Sequence, residues 1–238
     1  MNYKRGLQTG IPIALGYLSV SFTFGILAMN YGLSVWQATL VSLATVTSAG
    51  QFAGIQMMST PGLYVDMLIS QLTINVRYSF MSISLSQKLD GKFRGIWKWL
   101  FGFFITDEIF AVAVTQPVVT RSFFAGLATL PWIGWTAGTA LGASLGSVLP
   151  AAIMSALGIA LYGMFVAIVV PPAKENKYVL LAAGIAALIS TAFAYLPFLK
   201  GVSSGIAVSI AAIVAAAIAA IVHPLPDENE QPGKEVQA

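Results

Sequence analysis

The sequence predicts an all-α polytopic membrane protein with about 6–8 hydrophobic segments. Charge is scarce, it is confined to short clusters, and the runs between clusters are long enough to cross a bilayer. Charged residues make up 9% of the chain and hydrophobic residues 57%, whereas soluble domains carry about 25% charge. So few charges cannot cover a water-facing surface. No Asp, Glu, Lys or Arg occurs in residues 6–65, 122–173, 178–199 or 201–226. A spanning helix needs about 20 apolar residues to cross about 30 Å of hydrocarbon, so the first stretch alone can make two or three passes.

The same composition excludes several classes of function. The net charge is only +3, and the basic residues lie between apolar runs rather than on one face. That is the distribution membrane topology produces, and it argues for a lipid bilayer and no nucleic acid as partner. With no cysteine, disulfides, thiolate metal sites and thiol catalysis are ruled out. The chain carries no phosphate-binding glycine loop, dinucleotide fingerprint, H-E-x-x-H or G-x-S-x-G, so the reading is no enzyme, no cofactor and no metal. The opening MNYKRGLQTGIPIALG lacks a small-residue cleavage site after a short apolar core and is read as a start-transfer first helix.

In chain order the hydrophobic segments are residues 10–29, 36–58, 63–85, 97–117, 133–149, 151–170, 178–196 and 202–222. The fifth and sixth meet at Pro150. Together they form a single transmembrane domain over residues 1–222, and residues 223–238 form a polar, disordered tail.

If all eight segments cross, the basic residues divide six against five between the two sides. If each long charge-free stretch makes an odd number of crossings, the N-terminus, the Lys88–Lys98 cluster, Lys174, Lys177 and the tail share the cytoplasmic side. The division is then nine against two, with Arg121 and Lys200 opposite. The positive-inside rule prefers the second arrangement. It requires broken or re-entrant helices, with Gly50, Gly54, Pro61, Gly138, Gly142, Gly146 and Pro150 as candidate breakers. Non-helical backbone survives at membrane depth only inside protein or along a cavity. A weak likeness between LVSLATVTSAGQFAGI and IMSALGIALYGMFVAI, which lays Ser42 on Ser155, suggests inverted repeats at 6–117 and 130–222. That architecture places a transport site near the midplane.

Arg77 lies deep in the third segment, two residues after Asn75, and Asp107 and Glu108 lie midway along the fourth. A charge at the bilayer centre costs ~2.5–3.5 kcal/mol on insertion scales, so such residues face the bundle interior and pair. Consecutive segments make Arg77 with Asp107 or Glu108 the expected pair. On one helix the two carboxylates point about 100° apart, which leaves one to face a cavity. The alternative is an ion pair that fixes packing and nothing else. Gln51, in the run SAGQFAG between Gly50 and Gly54, is read either as a ligand contact or as helix packing. The stripe Gly138, Gly142, Gly146 is read as packing, with another subunit as one candidate surface. Asp66 and His223 are read as interfacial bystanders, and Met57 and Met58 as core or lipid-facing.

GIPIALGYLSVSFTFG, SAGQFAG, NVRYS at 75–79 and TDEIFA at 106–111 together resemble the AzlC family, the large subunits of bacterial branched-chain amino acid permeases. The resemblance implies a secondary transporter in the bacterial inner membrane that exports leucine, isoleucine, valine or similar hydrophobic amino acids. It also implies a small AzlD-type membrane subunit, coupling to a proton or other ion gradient, and no ATPase. Its motifs fall on Asn75 and Arg77, and on Thr106, Asp107 and Glu108. Where many members carry His, this chain has Tyr78, which weakens a proton-relay role there. The substrate-binding set is therefore Gly50, Gln51, Asn75, Arg77, Tyr78, Asp107 and Glu108. A non-transporting membrane scaffold and a channel remain the alternatives.

Overall fold

The computed structural model describes residues 2–59, 64–150, 159, 166, 169–171, 173–199, 201–202 and 204–223. Nearly all of the segment read at 151–170, together with Pro61, Lys200 and the tail beyond residue 223, lies outside them. The described residues form helices and no strand. The chain divides into two units, Met1–Phe165 and Val166–Ala238.

The first unit is built on two long helices, α1 (Tyr3–Asn30) and α7 (Arg121–Leu145). They run parallel, because a Cβ added to Gly6 would collide with Phe123, one at Gly134 would lie 2.6 Å from the Ala14 carbonyl, and one at Gly142 would collide with Phe22. Glycine spaced by about one turn lets the backbones approach this closely. The stripe at Gly138, Gly142 and Gly146 therefore packs within the chain, against Leu18, Phe22 and Ile26. α7 begins at Arg121, about three turns before the span read at 133–149. Thr120 starts it by accepting a hydrogen bond from the Phe123 N–H at 3.3 Å.

The stretch read as one span at 36–58 is two helices, α2 (Val35–Ala44) and α3 (Ser48–Met58). The break falls at Thr45–Thr47, in extended backbone, and not at Gly50 or Gly54, which lie inside α3. Threonine and valine lose side-chain freedom in a helix, and a threonine hydroxyl competes for backbone groups; Thr45 Oγ1 bonds the Val41 carbonyl at 2.8 Å. Ala38 and Ile55 pack in one cluster with Phe24, Ala28 and Ala143, whereas Val46 packs beside Tyr17 and Trp135. The α2–α3 hairpin therefore enters from the end where α1 finishes and turns back to it.

α4 (Tyr64–Ser86) then runs antiparallel to α3, with Gln71 beside Gly50 and Asn75 beside Thr47. The stretch read as a fourth span is again two short helices, α5 (Ile96–Gly102) and α6 (Asp107–Val114). At 1.5 Å per residue each is about 10–12 Å long, too short to cross about 30 Å of hydrocarbon. The loops before and after them are tied together: Asp90 N–H donates to the Val119 carbonyl at 3.0 Å and Val119 N–H to the Lys88 carbonyl at 2.8 Å. α5–α6 therefore also returns to the end it entered, the end where α1 and α7 begin. Arg121 lies at that same end, its guanidinium 4.4 Å from the Trp97 ring centroid, not opposite the Lys88–Lys98 cluster.

The order short helix, break, short helix, long helix thus occurs twice, with opposite senses. The caps Thr47 and Thr106 are 59 positions apart, as are the ends Ser86 and Leu145. This spacing differs from the one that lays Ser42 on Ser155.

In the second unit, α8 (Lys177–Tyr195) and α9 (Ser204–Val222) form an antiparallel pair. Tyr178 at one start and His223 at the other end bring their rings to 4.0 Å.

Candidate functional site

The two hairpin tips meet at mid-height of the first unit, against α1 and α7. Trp132 of α7 holds both: its Nε1–H donates to the Leu43 carbonyl at 3.1 Å, and its ring meets Phe104 edge-on at 5.6 Å.

The α6 tip carries the charge. Thr106 caps α6 and accepts from the Ile109 N–H at 3.3 Å, so Asp107 and Glu108 occupy the first turn, where carboxylates complement the helix dipole. They are the start of a helix, not the middle of one as the continuous apolar run suggested. Arg77, from the middle of α4, places Nη1 2.6 Å from Asp107 Oδ2, and Nη2 donates to the Tyr78 hydroxyl at 3.2 Å. Its side chain is 37% exposed and that of Asp107 24%. Arg77 Nε is buried and makes no hydrogen bond.

Glu108 turns the other way, toward α1. Its Oε2 lies 2.5 Å from the Tyr17 hydroxyl, which also lies 2.6 Å from Thr106 Oγ1. A phenol has one proton. Because the Thr106 oxygen already accepts from Ile109, Thr106 is free to donate to Tyr17, and the phenol proton goes to the carboxylate.

The α3 tip is held by amides. The Thr47 hydroxyl donates to Asn75 Oδ1 at 2.6 Å. Asn75 Nδ2 donates to the Gln71 carbonyl at 2.8 Å and to Gln71 Oε1 at 3.1 Å. Gln71 Nε2 in turn donates to the Gly50 carbonyl at 2.8 Å. A Cβ at Gly50 would lie 2.7 Å from Gln71 Oε1, so this amide lattice needs glycine there. Thr47 makes no side-chain cap to its own helix, which leaves the first N–H groups of α3 without one.

Gln51 belongs to a different network. It is 4% exposed, donates to Ser42 Oγ at 2.9 Å and accepts from Trp135 Nε1 at 2.7 Å. Ser42 and Thr139 share a bond at 2.7 Å. This network joins α2, α3 and α7.

A cavity of about 240 Å³ opens between the tips, lined by Thr45, Val46, Thr47, Asn75, Tyr78 and Phe103 among others. It is below the roughly 300–1,000 Å³ of sites for drug-sized ligands and suits a smaller guest. The structure therefore gathers Arg77, Tyr78, Asp107 and Glu108 at one tip, connects Asn75 and Gly50 at the other, and engages Gln51 in a separate hydrogen-bond network. Sequence reasoning missed Tyr17, Thr47, Gln71 and Thr106 as partners. Tyr17 and Thr106 stood inside quoted motifs, and a threonine before two carboxylates is a helix-start signal. Among the described residues no cluster of three metal-ligating side chains forms.

Residues 12–149 match the family described as AzlC protein. An uncharacterized membrane protein of Archaeoglobus fulgidus is 34% identical over 174 residues, 72% of this chain and 76% of that protein. The inner membrane protein YgaZ of Escherichia coli is 25% identical over 214 residues, covering 85% and 87%. The branched-chain amino acid transport protein AzlC of Bacillus subtilis is 26% identical over 149 residues, covering 61% and 58%. No solved structure matches the chain.

Proposed function

The chain belongs to the AzlC protein family of membrane proteins, and from that premise we propose that it is a secondary transporter exporting branched-chain or other hydrophobic amino acids across the bacterial inner membrane. In this reading it is the large subunit of a two-component permease, with a small AzlD-type membrane partner, and draws on a proton or other ion gradient.

The carrying observation is that Arg77 pairs with Asp107 while Glu108 bonds Tyr17 at the start of α6, and that Asn75 and Tyr78, which flank Arg77 on α4, line a cavity of amino-acid scale. One guanidinium against two carboxylates leaves an excess negative charge when all are ionised. A substrate ammonium or a proton neutralises it, which gives both a binding and a coupling role to the same groups. The substrate carboxylate turns toward the uncapped first turn of α3, since helix N-termini favour anions. The aliphatic side chain lies among Val46, Phe103 and Ile105.

The topology in this reading has α1, α4 and α7 crossing the membrane, with α2–α3 and α5–α6 re-entrant from opposite faces as an inverted repeat around a midplane site. Within the first unit Lys4, Arg5, Lys88, Lys92, Arg94, Lys98 and Arg121 lie toward the end where α1 begins, and its described loops at the other end carry no Lys or Arg. The positive-inside rule makes that end, and the N-terminus, cytoplasmic.

Flux of labelled leucine in everted vesicles, with and without the small partner and with an imposed pH gradient, tests the proposal. Saturable, stereoselective, gradient-dependent uptake lost in Arg77→Gln and Asp107→Asn is expected. Normal uptake in both variants contradicts the site. Non-saturable flux indicates a channel, and no flux with the partner present indicates a scaffold.

A further inference from the structure

Two further cavities flank the central one, and each shares lining residues with it. On the basic end a vestibule of about 800 Å³ is lined by Ser82, Arg94, Lys98, Trp99, Gly102 and Phe103. Gly102 and Phe103 also line the central cavity. On the other side a cleft of about 140 Å³ lies between α2, α3 and α4, lined by residues including Val41, Thr45, Thr47, Met67 and Gln71. Thr45 and Thr47 line the central cavity as well. The central cavity therefore adjoins the vestibule at Gly102 and Phe103 and the cleft at Thr45 and Thr47, the residues of the two hairpin tips.

We propose that these cavities form one substrate route, with Phe103 as the gate on the basic side and the Thr47–Asn75 contact as the gate on the opposite side. This rests on the transport reading above and assigns gating residues it does not name.

The two gates are built differently. Thr47 is locked by its 2.6 Å bond to Asn75, and Gln71 braces Gly50 behind it. Phe103 makes an edge contact with Phe104, ring centroids 4.8 Å apart, while the polar ties of its hairpin, Arg77–Asp107 and Tyr17–Thr106, fall on the α6 side of the break. α5, which carries Phe103 at its end, starts at Gly95 with φ +55° and no side-chain cap, and it finishes on Gly102. A seven-residue helix that follows Gly95 and ends on Gly102, held by the aromatic contacts of Trp97 and Phe101, is the easier arm to swing. The route in this structure is therefore wide toward the basic face and narrow toward the other, and Arg94 and Lys98 at its wide mouth attract a carboxylate-bearing substrate.

The chain has no cysteine, so single cysteines report access without background. Ser82→Cys, Thr45→Cys and Met67→Cys are made one at a time, the chain is co-expressed with its small partner, and a charged, membrane-impermeant methanethiosulfonate is added to vesicles of either orientation. Ser82→Cys is expected to react from the basic face only and Met67→Cys from the opposite face only. Thr45→Cys reacts slowly from the basic face, and adding Phe103→Ala accelerates it several-fold while Ser82→Cys in the same background keeps its rate. An unchanged Thr45→Cys rate in the Phe103→Ala background overturns the gate. Reaction of Ser82→Cys from the opposite face, or from neither, overturns the route. Leucine flux measured on the same vesicles separates the two ideas: flux without gated labelling removes this inference alone, and gated labelling without flux removes the amino-acid reading alone.

Discussion

The Arg77–Asp107 pair yields a quantitative test. Two unit charges about 4 Å apart attract by about 4 kcal/mol at an effective dielectric of about 20. Pairs exposed to solvent retain only about 0.2–1 kcal/mol of that, whereas removing one partner of a buried pair costs about 3–5 kcal/mol. With side chains 37% and 24% exposed, this pair falls between the limits. The coupling between the two residues is therefore expected at about 1–2 kcal/mol, a factor of about 5–30 in equilibrium. The perturbation is a double-mutant cycle: Arg77→Gln, Asp107→Asn and both together. Each single variant strands the other charge at mid-height and should destabilise by about 2 kcal/mol, lowering Tm by roughly 4–8 °C for a chain of this size. The double variant strands neither, and its loss should fall short of the sum by the coupling. The assay is thermal unfolding in detergent, followed by monodispersity and by leucine flux. Additivity within about 0.5 kcal/mol would refute the pairing. Recovery of flux in the double variant would reduce the pair to a packing device.

Tyr17→Phe removes one hydroxyl and keeps the edge contact with Trp135 (ring centroids 5.4 Å apart), so leucine flux should fall sharply with a stability loss of about 1–2 kcal/mol; full flux would detach Glu108 from the transport step. Gln51→Leu leaves the Trp135 N–H and the Ser42 hydroxyl short of a partner, at a cost of about 1–3 kcal/mol. The check is a lowered Tm, which Gln51→Glu should lessen because an acceptor for Trp135 remains. Gly142→Leu forces a side chain into the Phe22 backbone and should abolish the monodisperse peak in detergent, whereas Gly184→Leu on α8, where a Cβ meets nothing, should leave it unchanged.

Much of this organisation was legible from charge alone. The charge-free runs announced long apolar helices, and the position of Arg77 one segment before Asp107 and Glu108 announced a pairing with one of them, which is Asp107. The breaks were not legible from hydropathy, because FGFFITDEIFAVAV is a continuous apolar run apart from two carboxylates. What marks the break is local chemistry: a threonine whose oxygen caps the next helix, followed by acids in the first turn. The T-V-T at 45–47 is the same kind of mark, and attention to the nearby glycines obscured it. Of those glycines, Gly50 serves close approach to Gln71, and neither marks the chain reversal. Tyr17 was invisible because its role depends on a carboxylate 91 positions away, and no local pattern encodes that distance. The start of α7 was missed for the opposite reason: Thr120 and Arg121 look like a loop until the helix they cap is seen to lie beside α1.

The long-range bonds of the α2–α3 hairpin have a consequence during synthesis. Gln51 waits for Trp135, 84 residues later, and Ser42 for Thr139, 97 residues later. At about 5–20 residues per second, the hairpin exists for several seconds before α7 leaves the ribosome. Throughout that interval its amide and hydroxyls have no indole or threonine to meet, so the nascent hairpin must be sheltered by the insertion machinery or held near the headgroups. Final seating of the first hairpin is thus tied to α7, and a ribosome stalled before residue 135 leaves a chain whose Gln51 still lacks its indole partner.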